Sequence, residues 1–187
     1  MNRYLRTIIL ILSLLTIIGL GLCWGFRFEI HYYRNRALLD AAAARYQVPP
    51  ALVASLIWQE TRFNPTCRGK AGEIGLMQIM PQSAAEWAKA EHIAGFDPHS
   101  LFDPGTNMLA GTWYLARALT RWSAQTDPVP YALAEYNAGR SNVIRWERNT
   151  AQRPGMFTES ISYPGTRSYV RNILLNYRTF GKPWERW

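Results

Sequence analysis

Two cysteines in 187 residues exclude a disulfide framework. Cys23 lies in an apolar run and Cys67 in a polar loop, so both are expected to be unpaired. No spacing of His, Cys, Asp and Glu suits a metal ion, and neither a metal nor a cofactor is expected. Internal repeats and low-complexity linkers are missing as well. Acidic residues are scarce, with 13 Asp and Glu against 21 Lys and Arg, for a net charge of +8. Such a balance implies acidic partners. No lysine-rich run or nucleic-acid motif accompanies it, so nucleic acid is set aside in favour of anionic lipid or an acidic polymer. Alternating strand patterns are also lacking, and every periodic stretch reads as helical.

What is present begins with residues 7–26, twenty consecutive uncharged positions flanked by Arg3, Arg6 and Arg27. At about 1.5 Å per residue this run spans a hydrocarbon core of roughly 30 Å, which predicts one N-terminal transmembrane helix. A cleaved signal peptide competes, although the run is longer than the usual apolar region and no small-x-small cleavage site follows. A lipid-attachment site at Cys23 fits poorly because Leu22 precedes it. With basic residues on both sides, charge orients the span only weakly. An Ala-rich helix over 28–48 leads on, and two units are expected: a membrane anchor with a juxtamembrane helix over 1–37, and a globular domain over 38–187.

Local signals then place the helices of that domain. Pro50 suits the first turn of a helix. Ser83 with Glu86 three residues later reads as a capping box. Asp103-Pro104 and Asp127-Pro128 read as caps of two further helices, and Gly139 as the end of the second. On the helix after Asp103, Leu109, Trp113, Ala116 and Leu119 share one face and are taken as core. A last helix over 166–180 turns Tyr169, Ile173, Leu174 and Tyr177 inward. Residues 75–79 leave room for a small hairpin, so the predicted fold is mainly α with a possible small β-hairpin.

One residue breaks the apolar pattern. Leu52, Leu56 and Glu60 fall at i, i+4 and i+8, which sets an acid where a leucine is expected. Burial beside Leu56 and Ile57 and a place in the last helical turn both disfavour the ionised form. A carboxyl protonated near neutral pH can act as a general acid. A solvated Glu60, or one paired with Arg62 or Arg68, is the bland alternative.

Three segments weigh against that alternative: Glu60-Thr-Arg-Phe-Asn-Pro65, Gly72-Glu-Ile-Gly75-Leu-Met-Gln-Ile-Met-Pro81 and Ala134-Glu-Tyr136-Asn137-Ala-Gly139. In order and spacing they resemble the lytic transglycosylases of the soluble, lysozyme-like (SLT) type, family 1. The resemblance implies a lysozyme-like α domain. It also implies that peptidoglycan is cleaved between N-acetylmuramic acid (MurNAc) and N-acetylglucosamine (GlcNAc), with Glu60 as acid and then base. Tyr136 would hydrogen-bond or orient Glu60, Met77 and Gln78 would line the cleft, and Asn137 would hold the local backbone or contact sugar. Glu159, in a segment similar to the family's E-S-I-P-F-x-E-T-R-x-Y-V, would be a cleft residue, whereas that pattern's second glutamate is Gly165 here. The loop serine of the family aligns with Gly69, so its substrate contact is lost or made otherwise.

Partners implied are glycan strands and the membrane, with the domain in the periplasm. Two alternatives remain at this stage. One is a hydrolytic muramidase, whose second carboxylate would be sought among Glu73, Asp97, Asp103, Glu135 and Glu159. The other is a catalytically silent peptidoglycan-binding module of a cell-envelope assembly.

Overall fold

The computed structural model describes residues 3–150 and 156–180, with the side chains of 5, 22–30, 149 and 150 outside the description. Two compact units emerge, Met1–Arg36 and Ala37–Trp187. The first helix, α1, covers Arg3–Tyr46. Among the described residues no helix is long and apolar enough to cross a membrane. The expected span over 7–26 is covered only in part, because the side chains of 22–26 lie outside the described residues. Within 8–20 the apolar side chains stand exposed, Leu10 at 69% and Leu20 at 66%.

In the second unit α2 (Pro50–Thr61) is the central helix. Leu52, Val53, Ala54, Ser55, Leu56 and Ile57 are all buried, so almost its whole circumference is covered rather than the single stripe that the spacing suggested. Pro50 opens the helix. Arg62 closes it in the left-handed region, its N–H bonded to the Trp58 carbonyl at 3.2 Å. Phe63 follows in the same region, φ 62°. Left-handed backbone at two successive non-glycine residues costs on the order of 1–3 kcal/mol each, and complete burial of the Phe63 ring offsets part of it. This reversal leaves Glu60 in the last turn.

The chain then forms an irregular loop to residue 80 and continues through α3 (Pro81–Ala90), a 3₁₀ turn (Pro98–Phe102), α4 (Pro104–Arg121), α5 (Val129–Ala138), α6 (Arg140–Thr150), the short α7 (Phe157–Ser160) and α8 (Pro164–Phe180). α2 packs chiefly on α8, α4 on α5, and α5 on α8. The hairpin expected at 75–79 reduces to isolated bridges, Ile74 with Ile79 and Arg68 with Ile74.

Capping agrees with expectation at some ends and departs at others. Asp103 accepts from the Thr106 N–H, whereas the cap of α5 falls on Pro128, one residue after the expected Asp127, whose side chain accepts from the Val129 N–H at 3.1 Å. Gly139 ends α5 with φ 82°. The capping box at Ser83 does not form. Pro81, preset for a first helical turn, starts α3, with Met80 at the cap three residues before Ser83.

α4 corrects a core assignment. Asn107, Met108, Ala110, Gly111, Thr112, Leu115 and Ala118 are the buried positions, while Leu109, Trp113, Ala116 and Leu119 are only half-buried. Gly111 on the inward face lets the Met77 side chain approach closely, and that fit outweighs side-chain size.

Candidate functional site

Residues 74–79 form a bight whose backbone groups are claimed by three helices. Asn107 at the start of α4 is fully buried. Its Oδ1 accepts from the Met77 N–H at 2.8 Å, and its Nδ2 donates to the Ile74 and Leu101 carbonyls at 2.8 and 2.9 Å. Thr61 of α2 donates to the Leu76 carbonyl at 2.9 Å, and Tyr136 of α5 to the Met77 carbonyl at 2.8 Å. Gly75 has φ 74°, and a Cβ there would lie 2.3 Å from Asn107 Nδ2 and 2.5 Å from the Leu101 carbonyl. Only glycine fits. The bight is thereby fixed beside the end of α2.

Glu60 is half-buried on that end, and the Tyr169 hydroxyl of α8 donates to its Oε1 at 2.6 Å. Burial pushes the Glu60 carboxyl up from the ordinary 4.5 to about 7. The Tyr169 hydrogen bond opposes the rise by favouring the ionised form, and the Glu73 charge adds to it. Burial, and then the charge of Glu60, hold the Tyr136 and Tyr169 hydroxyls well above the usual range, so both remain neutral donors. Poised near neutrality, Glu60 can give up a proton and take one back.

Sequence reasoning missed Tyr169 as the partner of Glu60. The signal was a tyrosine within an apolar stripe, since a buried phenol needs an acceptor for its hydroxyl. Tyr136 makes no hydrogen bond to Glu60; its hydroxyl is spent on the Met77 carbonyl, and its ring meets Tyr114 edge-on. Its link to Glu60 is through space and through the bight it holds.

The remaining expected residues separate. The Met77 side chain is fully buried, with its sulfur against Thr112, so it packs the core instead of lining a cleft. Gln78 stays part-exposed in the left-handed region, φ 48°, and its Nε2 donates to the Gly75 and Cys67 carbonyls at 2.9 and 3.3 Å. Asn137 accepts from Thr166 at 2.7 Å and so joins the end of α5 to α8. Glu159 is bound to Arg171, which lowers its pKa, and nothing brings it into contact with Glu60.

Four of the five candidates for a second carboxylate are held elsewhere. Glu135 is buried, bonded to Arg121 and to the Trp122 indole N–H, the latter at 2.7 Å. Asp97 and Asp103 accept from backbone N–H groups of the helices they precede, and Glu159 has Arg171. Glu73 alone of the five acts on Glu60. Cys67 is free.

A proton-carrying acid on a central helix, backed by a tyrosine and set beside a clamped bight, defines a helical domain equipped for general acid and base chemistry. The chain belongs to the Transglycosylase SLT domain family, which matches residues 37–156. It is 36% identical over 131 residues to the soluble lytic murein transglycosylase of Escherichia coli strain K12, a match covering 68% of this chain and 20% of that one. It is 32% identical over 126 residues to the membrane-bound lytic murein transglycosylase F of Desulfosudis oleivorans, covering 66% and 26%. The fold is similar to that of an inactive Glu→Gln mutant of the lytic transglycosylase Slt from Pseudomonas aeruginosa. The TM-score is 0.72 at 28% identity, over 78% of this chain and 24% of that one. The chain thus spans about a fifth to a quarter of the length of these relatives.

Proposed function

We propose that this chain is a membrane-anchored peptidoglycan lytic transglycosylase that cleaves the MurNAc–GlcNAc β-1,4 bond and leaves 1,6-anhydro-MurNAc ends. One observation carries the reading: Glu60 is a carboxyl poised at about 7 whose only nearby acidic neighbour, among the candidates for a catalytic pair, is Glu73.

Glycosidic cleavage needs a proton on the leaving oxygen and stabilisation of an oxocarbenium-like transition state. Glu60 supplies the proton while Tyr169 steadies the carboxylate that remains. The same carboxylate then removes the proton of the muramic 6-hydroxyl as that oxygen closes onto C1. Intramolecular attack of this kind is favoured by proximity, with effective molarities that reach about 10⁵ M or more. The sugar supplies the nucleophile, so no second base is needed to activate water. Likeness to murein transglycosylases supports this substrate class.

Membrane attachment rests on the uncharged run over 7–26 and on the exposed apolar side chains within it, including Leu12 at 59% and Ile17 at 66%. A helix apolar on all sides is stable where lipid or protein covers it. The catalytic unit would then lie in the periplasm, where the substrate is. Recovery of the full chain in the membrane fraction is expected. A trimmed, soluble chain would make residues 1–26 a signal peptide.

Digestion of purified peptidoglycan in heavy-oxygen water, followed by mass spectrometry, tests the reaction. Muropeptides one water lighter than hydrolysis products, unlabelled and without a reducing end, are expected. Reducing, labelled ends as the main product would establish a hydrolase with Glu73 as the base to examine.

A further inference from the structure

The loop before the bight contains an acceptor arrangement that the reaction above does not use. Gly69 and Glu73 are joined by the Gly69 N–H to the Glu73 carbonyl at 2.8 Å, and the Gly72 N–H returns to the Gly69 carbonyl at 3.3 Å. This tight turn lays the Glu73 side chain across Gly69. A Cβ on Gly69 would meet Glu73 Oε2 at 2.1 Å and Gln78 Oε1 at 2.8 Å. The carboxylate therefore occupies the space that a side chain at position 69 would fill.

Its orientation is set. Oε2 accepts from the Ala71 N–H at 3.0 Å, and among the described residues no cation pairs with Glu73. Arg68 lies 5.5 Å from the Phe102 ring, and Arg62 lies 4.1 Å from that of Trp58. The Gln78 amide is oriented as well, since its nitrogen is committed to two carbonyls and its oxygen is left on the Gly69 side. Two acceptors thus sit together on a part-exposed surface, close enough to Glu60 for the Glu73 charge to act on it. An unpaired carboxylate at Glu73 raises the cost of ionising Glu60, an arrangement that stability alone does not select. Hydrogen-bond donors from outside the protein would complete it.

We propose that Glu73 is a substrate-contacting residue of the Glu60 cleft, whose carboxylate, laid across Gly69 beside the Gln78 amide oxygen, accepts hydrogen bonds from hydroxyl or acetamido N–H groups of the sugar at the scissile bond. An N-acetylated sugar offers such donors, and an anionic acceptor forms stronger bonds with them than a neutral one. Its negative charge also faces the centre where positive charge develops. The groups facing Glu60 are Tyr169 from α8, Tyr136 from α5 and Glu73 from the loop. The inference rests on the transglycosylase reading.

The test compares the full-length protein with Glu73→Gln, Gly69→Ser and the double variant Gly69→Ser/Glu73→Ala, on purified uncrosslinked glycan strands. Glu73→Gln is expected to lower kcat/KM about 10-fold or more, the loss typical of a hydrogen bond to a charged group, with KM rising. The alkaline limb of kcat should move to lower pH, because removing a like charge makes Glu60 easier to ionise. Gly69→Ser should reproduce the loss by displacing the carboxylate. In the double variant the two losses should not multiply.

Strand affinity is measured in parallel on a Glu60→Gln background, with and without Glu73→Gln, and is expected to fall about 10-fold. That measurement needs no turnover. If the wild type releases water-labelled ends, the transglycosylase reading fails while the affinity loss still supports the Glu73 contact. Unchanged KM, pH limb and affinity in Glu73→Gln, or multiplying losses in the double variant, would overturn the inference.

Discussion

Replacing Glu60 with Gln separates what this residue costs from what it does. In the folded chain its carboxyl titrates at about 7, against an ordinary 4.5. At about 1.4 kcal/mol per pH unit, that interval corresponds to roughly 3 kcal/mol. The raised value means that the folded state holds the proton more tightly than the unfolded one. Stability linked to Glu60 is therefore complete below pH 4.5, falls as pH rises toward 7, and is fully lost above it.

Glutamine has the same shape and no charge, so Glu60→Gln should match the wild type at pH 4 and exceed it at pH 8.5 by roughly 3 kcal/mol. For a domain of this size that is about 6–12 °C in Tm. Turnover should fall by about 10²-fold to 10⁴-fold or more, since an amide cannot deliver the proton. Thermal melts of both proteins at the two pH values, with glycan-strand turnover on the same samples, make the comparison. A Tm difference that ignores pH, or near-normal turnover by a folded Gln variant, would refute the reasoning.

Tyr169→Phe removes a donor that favours ionised Glu60, so the alkaline limb of the rate profile should move to higher pH while kcat falls about 10-fold or more; an unmoved limb would deny the contact a role. Asn107→Ala takes three hydrogen bonds from buried backbone groups and should cost about 3 kcal/mol or more, read as a lower denaturant midpoint with loss of turnover as the bight loosens. Ordinary stability in that variant would show that the clamp is dispensable.

Much of the site was legible because its signals are local. Glu60 stands out by helical spacing alone, and an acid on an apolar face carries its own physical consequence. Pro50, Asp103 and Gly139 mark helix ends through backbone geometry, which depends on a residue and its near neighbours. The capping box at Ser83 failed for the same kind of reason, a stronger local signal at Pro81. The family likeness followed from three segments whose order needs no fold to recognise.

Tertiary structure decided which partners meet. Tyr169 reaches Glu60 across 109 positions of sequence, and Tyr136 reaches the Met77 carbonyl across 59. No periodicity encodes such pairings, because they depend on how α5 and α8 pack around α2. Packing also shifted the buried face of α4, turned Met77 into core and committed Glu135 to Arg121 and Trp122. The sequence by itself determined an acid at the end of a buried helix. Only the fold decided that Tyr169 backs that acid, that Asn107 clamps the bight beside it and that Glu73 faces it, since burial and charge proximity are properties of three-dimensional neighbours.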